Sequence, residues 1–359
     1  MDKRELKVSA PGRICLFGEH QDYFGLPIIA AAINLRITIS GKRSRDPFID
    51  VNMPDIGEKE HLQIRKELEY SKARDYLKSG INILHREGKI LDSGWDCLLR
   101  GTIPINSGTA SSSALVVAWI KFLLEAVHDQ RGGDPDAIAN LAFMAEVAEF
   151  NEPGGKMDHY SSAKGGVISI HFENQIKVRK LKNTLGTFVL ADSLQRKDTT
   201  GTLEYIKTHV LSGMGKIQKK KPEFQLSSSP LKEYLEDIER LDKEESNLIK
   251  GTLLTRDLTA EGESLFESET FDHVKFGSLL SRQQGVLKNY LKLSTPKIDQ
   301  MLEAALQAGA LGGKGNGSGG GGCVFAYAPE RAEEVAEALR RLDTKPFILH
   351  IGEGVRTES

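Results

Sequence analysis

Three segments rich in glycine and hydroxyl residues, Ala10–Gly25, Pro104–Leu115 and Leu311–Ala328, each abut an apolar stretch of the chain. Glycine admits positive φ and lets main-chain N–H groups come close to a ligand, so loops of this kind suit phosphate. The last of them, LGGKGNGSGGGGCVFAYA, lies between an alanine-rich helical pattern and an apolar strand-like one, where low-complexity linkers do not usually sit. Pro104–Leu115, PINSGTASSSAL, stands just before a strong helical pattern. Free N–H groups at that helix start would accept phosphate oxygens, and a serine there could reach a bound Mg²⁺. Simple capping of the helix by Ser111 or Ser112 is the plainer alternative. The segment is not a Walker A loop, because it lacks G-x-x-x-x-G-K-[ST]. Glu19, His20 and Asp22 add a dense set of donors and acceptors in one short loop, a chemistry suited to several hydroxyls.

The elements that must position these groups read as mixed α and β. Leu6–Ala10 and Leu26–Ser40 predict strands on either side of a loop that contains Pro11, Gly12, Gly18 and Gly25. Tyr70–Glu87, Ser112–Val127 and Ala137–Phe150 predict helices, the second nearly apolar all round and therefore central. Gly165–Phe172, Thr187–Ala191 and Gly322–Ala328 predict strands. Thr199–Lys292 turns charged and helical, Pro296–Ala310 and Glu330–Leu342 predict further helices, and Pro346–Val355 a closing strand. A second domain is expected to begin near Leu185.

At 359 residues the chain can bury a large core and build two domains. Lys and Arg total 48 against 50 Asp and Glu, so a net charge of −2 offers no basic field for nucleic acid or an acidic membrane. A small-molecule partner is expected. Cys15, Cys97 and Cys323 are far apart and odd in number, against both a disulfide framework and zinc spacing. No run approaches the ~18 to 20 apolar residues of a membrane span. The opening residues MDKRELKVSAPGR lack the apolar core of a secretory signal, and the expected setting is the cytoplasm. Nothing in the sequence fixes the oligomeric state.

Four motifs in order resemble those of the GHMP kinases, the superfamily of galactokinase, homoserine kinase and mevalonate kinase. Pro104–Leu115 is similar to their phosphate loop, P-x-x-x-G-L-G-S-S-A, with Thr109 and Ala110 at the usual Leu and Gly. The P-P-G-S-G-L-G-T-S-S-A form of heptose-phosphate and fucose kinases has the length of Pro104–Ala114. Ala10–Gly25, APGRICLFGEHQDYFG, resembles the galactokinase signature G-R-x-N-x-x-G-E-H-x-D-Y-N at Gly12, Arg13, Gly18, Glu19, His20, Asp22 and Tyr23. Lys314–Cys323, KGNGSGGGGC, is similar to K-L-T-G-A-G-G-G-G-C of mevalonate kinase, with Asn316 at the usual Thr or Ser. Pro153–Ser162, PGGKMDHYSS, resembles P-C-G-I-M-D-Q-(F/Y) of galactokinases.

The resemblance implies an α+β (α/β) two-domain GHMP kinase fold. Its parts would be an N-terminal ribosomal-protein-S5-like domain over residues 1–185 and a C-terminal ferredoxin-like domain over 186–359. It implies transfer of the γ-phosphate of ATP, with Mg²⁺, to a sugar hydroxyl, the anomeric C1 hydroxyl in galactokinases. Asp158 and Arg13 fall on the family's catalytic pair, and Ser113 and Glu146 on its Mg²⁺ ligands. Glu19, His20, Asp22 and Tyr23 fall on its sugar contacts. Ser107, Gly108, Ser111, Ser112, Ser113, Gly317, Gly319 and Gly320 fall on nucleotide-binding loops. Read without the family, Asp158 could be a turn residue, Glu146 a solvated helix position and Lys156 a surface lysine. Asp22–Tyr23 favours a sugar over mevalonate, because mevalonate-type kinases usually lack that pair after G-E-H. Phe24 and His159 depart from the Asn and Gln of galactokinases, and Ala191–Leu203 stands where Y-N-x-R-R is expected. A mevalonate-type kinase and a catalytically idle sugar and nucleotide sensor are the alternatives.

Overall fold

The computed structural model describes residues 5–105, 107–172, 175–182, 185–195 and 198–358, so Met1–Arg4 and Asn106 of the serine-rich loop lie outside the described residues. The chain opens with β1 (Glu5–Phe17) and β2 (Ile28–Ser44), then β3 (Phe48–Met53) and β4 (Glu58–Gln63). Helix α1 (Tyr76–Arg86) and strand β5 (Gly94–Gly101) lead to α2 (Ser111–Ala126), α3 (Pro135–Phe143) and α4 (Met157–Lys164). Next come β6 (Val167–Phe172), β7 (Ile176–Lys180) and β8 (Phe188–Asp192). Four helices follow, α5 (Thr199–Gln218), α6 (Leu231–Glu239), α7 (Lys243–Glu267) and α8 (His273–Asn289). The chain closes with α9 (Pro296–Gln307), β9 (Gly312–Gly315), β10 (Cys323–Tyr327), α10 (Ala332–Arg340), β11 (Lys345–Leu349) and β12 (Arg356–Thr357).

One sheet runs β12-β1-β2-β5-β3-β4, with β6 also on β2 and β7 on β6; the other runs β11-β8-β10-β9. Helix α2 is buried along nearly its whole length, because Val116, Val117, Trp119, Ile120, Phe122 and Leu123 leave no polar face to present to water. It packs into one core with β1, β2 and β5. The smaller sheet is covered on both faces, and the period of two decides which side chain goes where. Phe188, Leu190, Phe325 and Tyr327 join the core shared with α7 and α8, while Val189, Ala191, Val324 and Ala326 meet α9 and α10.

Several elements differ from the sequence-based expectation, each for a local reason. Strand β1 continues through Pro11 and Gly12 with a register shift there, and the chain turns only at Gly18, whose φ is +94°. The helix expected from Tyr70 starts at Tyr76, since Arg74 holds φ +59° and cannot belong to an α-helix. Ala137–Phe150 divides into α3 and a π turn over Met144–Ala148. Within the glycine run, Gly312–Gly315 is a strand held by its ladder to β10. The closing strand ends at Leu349, and Arg356–Thr357 returns to β1 in the larger sheet. The charged middle stretch is helical and packs against the first glycine-containing loop. Gln21 donates to the Thr252 carbonyl of α7 at 3.1 Å, and Gly262 of α7 lies against the Phe17 ring. No helix among the described residues is long and apolar enough to cross a membrane.

Candidate active site

One cleft gathers residues from every motif. Its walls include Arg13, Glu19, His20, Asp22, Tyr23, Gly108, Ser111, Ser112, Ser113, Glu146, Asp158 and Gly317. Ser107, Gly319 and Gly320 lie outside the lining. The Ser107 hydroxyl turns back to the Pro104 carbonyl at 2.8 Å, and Gly320 N donates to Leu293 O at 2.8 Å.

Main chain builds one wall of the cleft. Helix α2 begins at Ser111 behind Ala110, which takes φ +59° as N-cap, and no side chain among the described residues caps the helix. Ser111 and Ser112 are the first two helical residues and do not cap it, and among the described residues no side chain takes up the first N–H groups, which can then donate to a ligand. Gly108 is pinned by Asn316, whose Nδ2 donates to its carbonyl at 2.9 Å while its Oδ1 accepts from Cys15 N at 2.9 Å. A Cβ on Gly317 would come within 2.8 Å of the Gly108 carbonyl oxygen, so only glycine lets the two loops touch.

Arg13 is the junction of β1, the serine-rich loop and α4. Its Nε and Nη2 bind the two carboxylate oxygens of Asp158 at 2.7 and 2.9 Å, Nη1 donates to Gly108 O, and its own N donates to Thr109 O at 3.1 Å. A two-point arginine fork fixes the carboxylate in plane and orientation. Asp158 keeps 26% of its side chain exposed, which leaves it reachable from the cleft.

The Glu19–Tyr23 turn is held equally firmly. The Lys314 ammonium pairs with Glu19 Oε1 and donates to Cys15 O at 2.9 Å, whereas buried Glu19 Oε2 has no partner among the described residues. His20 sits between Tyr23 Oη at 2.7 Å and Ser318 O at 3.2 Å. Asp22 Oδ2 accepts from Met157 N at 3.1 Å and Oδ1 from Tyr23 N at 3.0 Å, so it ties the turn to the start of α4. Gly155 makes that approach possible, since a Cβ there would lie 2.0 Å from Oδ2. Burial pushes the Asp22 carboxyl up to about 6, with the Asp158 charge adding to it and the Met157 and Tyr23 N–H groups opposing.

Glu146 is carried by the π turn and is only 5% exposed. His159 Nε2 lies 2.8 Å from its Oε2. Burial alone would raise its carboxyl, but hydrogen bonds from His159, Ser112 and Ser113 hold it below the usual carboxylate range. A carboxylate kept ionised in a buried pocket beside serine hydroxyls is a donor set that fits Mg²⁺, which takes oxygen ligands and few of them from protein. Lys156 is not a plain surface lysine: its ammonium lies 4.9 Å above the Phe143 ring and 3.3 Å from Asn140 Oδ1.

Sequence reasoning did not single out Arg74, Tyr76, Glu152, Thr199 or Leu203, which also line the cleft. Arg74 binds Glu152 through Nε at 2.6 Å and Nη2 at 3.1 Å and reaches the Thr200 hydroxyl at the start of α5. No local motif announces this clasp, because its members come from three separate elements.

Profiles described as the GHMP kinases N terminal domain, the GHMP kinases C terminal and the galactokinase galactose-binding signature match residues 75–166, 264–343 and 2–43. The chain belongs to the GHMP kinases. As a GHMP kinase it is 29% identical over 375 residues to a mevalonate kinase of Thermococcus gammatolerans, covering 98% of this chain and 97% of the relative. It is 25% identical over 349 residues to a galactokinase of Mannheimia succiniciproducens, covering 93% and 88%. The crystal structure of Lactococcus lactis galactokinase complexed with galactose superposes with a TM-score of 0.85 at 20% identity, over 99% of this chain and 95% of that one. The GHMP kinase fold, with its mixed α and β content, is thereby shown.

Proposed function

We propose that this GHMP kinase transfers the γ-phosphate of ATP to the anomeric C1 hydroxyl of a sugar, in the manner of a galactokinase. The observation that carries the reading is the polarity of the acceptor end. Carboxylates Glu19, Asp22 and Asp158 face the cleft, and both arginines in its lining, Arg13 and Arg74, are already paired with Asp158 and Glu152. Carboxylates accept from hydroxyls, so this end suits a neutral polyhydroxyl better than an anion. The galactose-binding signature over residues 2–43 supports the same choice.

In this reading the N–H groups at the start of α2, with Gly108 and Gly317, hold the phosphate oxygens. Ser107, Gly319 and Gly320 shape those loops. Ser113 and Glu146 would hold Mg²⁺, which when bound would neutralise phosphate charge. Asp158 orients the acceptor hydroxyl and takes its proton, and Arg13 keeps Asp158 in place while stabilising charge on the transferred group. The free Oε2 of Glu19 accepts one sugar hydroxyl, and Asp22, His20 and Tyr23 meet others. Residues 1–185 and 186–359 form the two domains of the kinase, and buried Cys15, Cys97 and Cys323, none of them in a disulfide, are compatible with a reducing cytoplasm.

A mevalonate-type kinase is the second reading, favoured by the 29% identity to the Thermococcus enzyme. A panel of hexoses, deoxysugars, sugar phosphates and mevalonate, scored by ADP release with Mg²⁺ and ATP, separates them. Turnover of sugars is expected; turnover of mevalonate alone would replace the proposal with the second reading.

A further inference from the structure

The carboxylate assigned to the metal is not free to turn. Glu146 sits on a π turn, a geometry that re-aims a side chain relative to a regular helix and is frequent at functional sites. Its Oε2 meets His159 Nε2 at 2.8 Å, with the two side chains 7% and 2% exposed. His159 Nδ1 has no partner among the described residues, so Nε2 is the nitrogen that carries a proton to the carboxylate. Phe143 meets the imidazole edge-on, centroids 5.6 Å apart and planes at 90°, which fixes the ring's orientation. His159 also adjoins Asp158 in the first turn of α4, so one helical turn presents the partner of Arg13 and the partner of Glu146.

We infer that His159 is the positioning residue of the metal site: its Nε2–H holds one oxygen of Glu146, keeping the carboxylate turned toward the Ser112 and Ser113 hydroxyls. The inference rests on the kinase reading above, and it concerns a position where this chain departs from the galactokinase pattern. It follows that the donor atom matters and the ring does not. The amide nitrogen of glutamine occupies nearly the place of imidazole Nε2 and can donate to Glu146. That of asparagine occupies the place of Nδ1 and falls short.

The test compares His159→Gln with His159→Asn by electron paramagnetic resonance titration of Mn²⁺, in the presence of a non-hydrolysable β,γ-imido analogue of ATP. Groups that orient metal ligands are worth about 10- to 100-fold in metal affinity, so the asparagine variant should bind Mn²⁺ that much more weakly. The glutamine variant should stay within about threefold of the wild type, on the same scale. Metal-free affinity for the analogue should not change in either. His159→Leu, apolar and close to ring size, carries the same expectation as asparagine and keeps the test alive should that variant misfold. Wild-type Mn²⁺ affinity in the asparagine or leucine variant would overturn the inference, as would an equal loss in the glutamine variant. A wild-type protein that binds no Mn²⁺ with the analogue would instead overturn the kinase reading of the site, and the inference with it.

Discussion

In the binding mode proposed above, the phosphate side of the cleft offers mostly main chain, at the start of α2 and around Gly108 and Gly317, with the side chains of Ser113 and Glu146 set aside for the metal; the acceptor side offers side chains, nearly all of them already held by a neighbour. Main-chain donors are the same whatever the substrate and suit the part that all kinase reactions share. Side chains distinguish one acceptor from another. Apart from the metal-holding set Ser113, Glu146 and His159, the phosphate side should therefore tolerate changes of side chain that keep its backbone, whereas the acceptor side should respond to the loss of a single oxygen.

The largest expected effect is on the acceptor side. Asp158→Asn keeps size and much of the hydrogen bonding to Arg13 but removes the negative charge. We expect kcat to fall by about 10²- to 10⁴-fold with nucleotide affinity within a few-fold, as steady-state kinetics and calorimetry would show. Turnover at the wild-type rate would remove Asp158 from the mechanism. Glu146→Gln should act differently, by raising the Mg²⁺ concentration needed for half-maximal rate.

Asp22→Ala should raise KM for the sugar by roughly 10- to 100-fold and leave KM for ATP nearly unchanged, the cost of a charged acceptor being about 1.5 to 3 kcal/mol. Gly155→Ala should approach the same phenotype, because its Cβ would occupy the space of the Asp22 carboxylate. The pH dependence gives an independent check. With the Asp22 carboxyl pushed up from 3.8 to about 6, the folded protein holds that proton more tightly than the unfolded chain. Its contribution to stability is present below about pH 3.8 and is lost as pH rises through about 6. Sugar capture is expected to run the other way, since the ionised form of Asp22 is the better acceptor. The profile of kcat/KM for the sugar should climb through about pH 6 and lose that limb in Asp22→Asn. A limb that persists would belong to another group.

The smallest effect lies on the phosphate side. Ala110 holds φ +59° at a position where the family's phosphate loop usually has glycine. Ala110→Gly should relieve that strain and raise stability by about 1 kcal/mol or less, with kcat unchanged, because the gain is partly offset by the freer unfolded chain. Thermal unfolding reads it. A loss of stability would mean that the alanine methyl contributes packing worth more than the strain.

What the sequence made legible follows the same division. Short runs with fixed spacing identify the family, and the four motifs, Ala10–Gly25, Pro104–Leu115, Pro153–Ser162 and Lys314–Cys323, together hold most of the cleft lining. The pairings that hold the acceptor side were not legible, because they join distant positions. Lys314 reaches Glu19 across a separation of 295 residues, and Asp22 reaches Met157 N across 135. Fold elements were missed where tertiary pairing outweighs composition. Strand β9 is GGKG, with no β-branched residue to mark it, and exists through its ladder to β10. Strand β4, EKEHLQ, is mostly polar because most of it faces water, and only Leu62 is buried.

The most direct test of the account follows the phosphorus itself. Incubation of the protein with Mg²⁺, ATP and an equimolar mixture of free hexoses and mevalonate, read by ³¹P NMR, shows which oxygen receives the phosphate. A new phosphomonoester resonance split by the anomeric proton of a sugar is the predicted result. A phosphorylated mevalonate in its place, or ATP left intact in the presence of every sugar, would contradict it.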